Sequence, residues 1–65
     1  MTLTEIRATI IGKTRDEAYS ILEKADIKHR VSRVNGQPRV LTADFNPERI
    51  NLHIEDGIVI DFTTG

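Results

Sequence analysis

The chain has 65 residues, with nine basic and ten acidic side chains for a net charge of −1, and it is 38% hydrophobic and 29% charged. That composition excludes a disordered segment and fits one globular domain, near the lower size limit at which a core can hold a fold without staples. Cysteine is absent, which excludes disulfides and thiolate metal sites and leaves the redox compartment open, and no apolar run approaches the ~20 residues needed to cross a bilayer.

In chain order, residues 1–9 (MTLTEIRAT) read as an N-terminal arm or strand. They lack the basic and apolar regions of a secretory leader, so the chain, if complete, is expected in the cytoplasm. Gly12-Lys13-Thr14-Arg15-Asp16-Glu17 then opens a helix. Thr14 is placed to cap it, Glu17 to complete a capping box, and Asp16 and Glu17 both favour the positive end of the helix dipole. Ala18, Ile21, Leu22 and Ala25 follow at i, i+3, i+4 and i+7, one apolar stripe along a helix over 15–25 that stops at Asp26. Residues 27–62 are expected to form the sheet. Within them 27–34 is strand-like, Asn35-Gly36 is a hairpin-turn signal, and Gln37-Pro38 limits the returning arm to an edge or loop. A loop over 37–48 leads into a second alternating strand from Arg49 to Ile54, and after the tight turn Glu55-Asp56-Gly57 the chain returns from Ile58 to Phe62. The expected fold class is α+β: one helix packed on a small mixed sheet, with an exposed loop, in a single domain over 1–65.

Charge is unevenly placed. No acidic residue occurs from Ile27 through Ala43, where Lys28, Arg30, Arg33 and Arg39 are basic. Such a strip attracts a phosphate or an acidic surface, but it is too small and too poor in aromatics for a nucleic-acid polymer. Catalytic signatures are missing. Ser20 and Ser32 have no nucleophile-elbow context, His29 and His53 lie on different strands without metal-pair spacing, and Gly12 belongs to no phosphate loop. No catalytic residue, metal or cofactor is expected.

The loop is the chemically suggestive part. Asn46-Pro47 sets an extended or turned backbone, and Arg49 at the root of the next strand can reach back with its guanidinium fork to Asp44 and to loop carbonyls. Stiffening a loop in this way prepares it for binding.

Two segments together resemble the potato inhibitor I family of serine protease inhibitors, and especially its short bacterial relatives. One is the helix opening Ile11-Gly12-Lys13-Thr14-Arg15-Asp16-Glu17-Ala18. The other is Thr42-Ala43-Asp44-Phe45-Asn46-Pro47-Glu48-Arg49-Ile50-Asn51-Leu52, and the glycine at 65 also matches. The resemblance spans about residues 10–65. It implies a reactive loop of Thr42, Ala43, Asp44 and Phe45, in which Ala43 is the primary specificity residue and Asp44 follows the scissile bond. Arg49 and Asn51 would support that loop from below. The implied partner is a subtilisin-like or elastase-like serine protease met by a monomer. The alternative uses Arg30, Arg33, Arg39 and Arg49 to capture an anionic small ligand, such as a nucleotide signal, or to block a partner protein, in a homo-oligomer that inhibits no protease. Asn35-Gly36 also admits a third arrangement, with residues 28–34 zipped against 37–42.

Overall fold

The computed structural model describes residues 2–39 and 44–65. Its first element is a correction. Leu3–Ile10 forms a helix, α1, not an arm or strand, so two helices rather than one accompany the sheet. The cause is local chemistry at Thr2, whose hydroxyl accepts from the Glu5 N–H at 3.2 Å while the Glu5 carboxylate accepts from the Thr2 N–H at 3.1 Å. This capping box satisfies two otherwise orphaned donors. Ile6 and Ile10, one turn apart, are both buried and anchor the helix to the core.

The second helix, α2 (Arg15–Lys24), begins where its cap predicts. Thr14 and Glu17 exchange the same reciprocal bonds at 3.2 Å. Its C-terminus closes on Ala25 and Asp26, with Asp26 in the left-handed region at φ 57°. The Ile27 N–H bonds the Leu22 carbonyl and the Asp26 N–H bonds the Glu23 carbonyl, which is the Schellman arrangement with aspartate in the usual glycine place. Only Ala18 and Leu22 of the predicted stripe are fully buried; Ile21 is half-covered and Ala25 is exposed at the cap.

The capping threonines support a direct test. Thr2→Ala or Thr14→Ala should each cost about 1 kcal/mol, read as a fall of roughly 4–8 °C in melting temperature. A neutral Thr2→Ala would mean that α1 does not form. The bonds from Thr2 and from Thr14 hold the Glu5 and Glu17 carboxyls below their ordinary value of 4.5. A depressed folded pKa means that this contribution is present above pH 4.5 and is lost as the pH falls through the folded values. Acid should therefore weaken the helix starts of wild type and of each cap variant alike, since the backbone N–H that makes the larger share survives Thr→Ala.

Four strands follow: β1 (His29–Val34), β2 (Gln37–Pro38), β3 (Ile50–Glu55) and β4 (Ile58–Thr64). They lie in the order β2-β1-β3-β4, with β1 and β3 parallel and the outer pairs antiparallel. The Asn35-Gly36 hairpin forms. Among the described residues Arg33↔Pro38 and Val34↔Gln37 pair, followed by one bond from the Arg39 N–H to the Ser32 carbonyl, and the rest of the expected zip, over 40–42, lies outside them. Both hairpin turns use two residues of positive φ, Asn35 with Gly36 and Asp56 with Gly57, the twist that a two-residue connection demands. The two turns are tied together, because the Asn35 side-chain oxygen accepts the Asp56 N–H at 2.8 Å.

Alternation assigns the two sheet faces. Ile50, Leu52 and Ile54 of β3 and Val59 and Phe62 of β4 meet Ile6, Ile10, Ala18 and Leu22 in one core beneath the helices. In register with their neighbours, Arg30, Asn51 and Thr63, then Arg33, His53 and Asp61, occupy the opposite face. The segment between the helices pairs with the outer edge of β4 near its start: the Gly12 N–H bonds the Val59 carbonyl, and the Val59 N–H bonds the Lys13 carbonyl.

Candidate functional site

Because β1 and β3 run parallel, the connection from β2 must return to the end of the sheet where His29 stands beside Ile50. The described part of that return begins at Asp44. Its last residues form a closed turn in which the Asn46 carbonyl accepts the Arg49 N–H at 3.0 Å and the Asn46 side chain accepts the Glu48 N–H at 3.0 Å. Proline at the second position of this turn supplies the φ it requires, and asparagine at the first supplies the side-chain acceptor.

Arg49 lies under the loop with 14% of its side chain exposed. Its Nη2 donates to the Asp44 backbone oxygen at 2.7 Å, its Nη1 to the Asp44 carboxylate at 3.1 Å, and its Nε to the Gly65 oxygen at 2.9 Å. One rigid fork therefore ties the end of the loop to β3 and to the backbone at Gly65. Bonds to a charged donor are shorter and roughly twice as strong as neutral ones. The exposed Asp44 carboxylate is the weaker arm of the clamp because solvent screens it.

Asn51 extends the support. It is 6% exposed, donates to the Gly65 oxygen at 3.3 Å and accepts from Arg30 Nε at 2.7 Å. Every buried side-chain polar atom among the described residues is bonded, so this cluster is fully satisfied. Sequence reasoning did not assign the Gly65 oxygen as the shared acceptor, nor Arg30 as a member of the support. The alternation that places Arg30 beside Asn51 is the signal that finds the second.

Phe45 is 78% exposed, an unusual state for a large aromatic ring. A Cβ built on Gly65 would come within 3.3 Å of the ring, a tight contact that the exposed ring would ease by moving a few tenths of an ångström. Of the four loop residues named from the sequence, Asp44 and Phe45 are placed in this way, while Thr42 and Ala43 lie outside the described residues.

The four arginines of the alternative site do not converge. Arg30 and Arg49 are linked indirectly, through Asn51 and the Gly65 oxygen, and Arg33 lies further along the same face as Arg30. Arg39 lines a cleft on the helix side with Arg15, Asp16, Val31, Val34 and Ile54. The histidines also separate. His29 contacts the Tyr19 ring edge-on at 4.7 Å on the helix side, whereas His53 is in register with Arg33 on the open face. Among the described residues no group of three or more histidine, aspartate or glutamate side chains is placed to hold a metal. Comparison with protein-family models, with curated proteins and with solved structures finds no match for this chain.

Proposed function

We propose that the protein is a non-enzymatic serine protease inhibitor that presents the loop around Ala43-Asp44 to a subtilisin-like or elastase-like enzyme. The observation that carries this reading is the Arg49 clamp, in which one largely covered guanidinium binds both the carboxylate and the backbone oxygen of Asp44. A loop held this way enters a protease cleft without a large ordering cost. After cleavage the clamp would keep the new end at Asp44 in place, which favours resealing over release. The resemblance to potato inhibitor I proteins names Ala43 as the residue read by the primary pocket, and a small side chain there suits enzymes with shallow or broad pockets.

Anion capture draws less support. Arg49 and Arg30 already donate to Asp44, Gly65 and Asn51, so a ligand would have to displace bonds made within the protein.

Inhibition of a panel of serine proteases is the test. Wild type should slow at least one subtilisin-like or elastase-like enzyme at micromolar concentration. Ala43→Asp should abolish that inhibition while leaving the melting temperature within a few degrees. A panel in which wild type slows no enzyme removes the inhibitor reading.

A further inference from the structure

Strand β4 is an outer strand, and among the described residues hydrogen bonds to its outer edge come only at the start, where residues 12–15 bond to Gly57 and Val59. Further along, the Gly65 N–H bonds the Arg49 carbonyl, and β3 pairs Asn51 with Thr63 and His53 with Asp61. Antiparallel alternation then turns the N–H and C=O groups of Asp61 and Thr63 inward and those of Phe62 and Thr64 outward. An outward row of unpaired groups on a strand rich in isoleucine, valine and threonine is a template for another strand.

That template is obstructed. The outward Phe62 N–H donates to the carboxylate of its own neighbour, Asp61, at 2.8 Å. The same carboxylate oxygen accepts from Arg7 Nη1 of α1 at 2.7 Å, and the Arg7 guanidinium lies 4.6 Å above the Phe62 ring. The bond from Arg7, then that from the Phe62 N–H, hold the Asp61 carboxyl below its ordinary value of 3.8, so it stays charged in this role.

We infer that Arg7 and Asp61 guard the free edge of β4 against strand pairing with a second copy of this chain. A second copy fits because the edge is its own complement. An antiparallel pairing centred on Thr63 sets Phe62 of one protomer opposite Thr64 of the other, and each pair exchanges an N–H and a C=O. In the guarded state the Phe62 N–H is already spent, which removes half of the donors that this pairing needs. The Arg7 side chain also lines the groove between α1 and the edge, together with Leu3, Thr4, Phe62, Thr63 and Thr64. This inference does not rest on the inhibitor reading.

Sedimentation of wild type, Asp61→Ala and Asp61→Val up to millimolar concentration tests it, with circular dichroism confirming the fold of each. The valine variant keeps strand propensity while removing the acceptor. Wild type should remain monomeric, and the variants should self-associate at least tenfold more tightly. Adding Thr64→Pro to Asp61→Ala deletes the other outward donor and should restore the monomer. Folded Asp61 variants that stay monomeric would show an ordinary surface ion pair and overturn the proposal. A dimer that persists with Thr64→Pro, or a wild type that dimerises equally well, overturns it too.

Discussion

Arg49→Ala is expected to convert the protein from an inhibitor into a substrate cut after Ala43. The substitution removes all three clamp bonds and, among the described residues, leaves the Gly65 oxygen with the long 3.3 Å bond from Asn51. Loss of bonds to a charged donor should cost about 1.5–3 kcal/mol, felt mainly as opening of the loop end. The protein should stay folded at room temperature, because Arg49 contributes no apolar surface to the core cluster. Arg49→Lys keeps the charge but loses the fork, and should fall between wild type and alanine. Mass spectrometry of a protease digest over time, beside the inhibition progress curve, checks the outcome. An Arg49→Ala protein that inhibits as tightly as wild type and stays uncut would show that the clamp does not matter to the loop.

Leu52→Ala should have the largest effect on stability. Leu52 is fully buried in β3, which pairs with strands on both sides and packs beneath both helices. Truncating a buried leucine costs about 2–5 kcal/mol. A domain of this size holds only roughly 3–10 kcal/mol in total. Much of the population should therefore unfold at 37 °C, as read by a urea or thermal melt. Ile60, nearly half exposed on β4, provides the contrast, and Ile60→Ala should change stability by less than about 0.5 kcal/mol. Comparable losses at the two positions would contradict the assignment of the core.

The features that the sequence made legible are those whose causes lie within a few residues. Thr14 and Glu17 stand three apart, Asn35-Gly36 and Asp56-Gly57 are self-contained turns, and Asp44 is within five residues of the arginine that clamps it. The same chemistry was present at Thr2 and Glu5, yet an isolated helix of eight residues is marginal in water. α1 exists because Ile6 and Ile10 reach the sheet, a tertiary cause that a local pattern does not contain. A mixed sheet was expected and forms, but which strands pair in parallel, β1 with β3, was not assigned, since hairpin signals specify only neighbouring antiparallel strands. Asn51 sits in the polar phase of its strand, which suggests exposure, but Arg30 and Gly65 cover it from distant parts of the chain.

The parallel β1–β3 pair also determines what would survive a break between residues 43 and 44. Both helices and β1 lie on one side of such a break and β3 and β4 on the other, while Ile50 stays hydrogen-bonded to Lys28 and the core draws on both portions. Neither portion has enough apolar partners to fold alone, yet together they enclose one interior. Two synthetic peptides meeting between residues 43 and 44 should therefore complement each other as a split protein. A single backbone cut would change the chain's covalent connectivity far more than its shape.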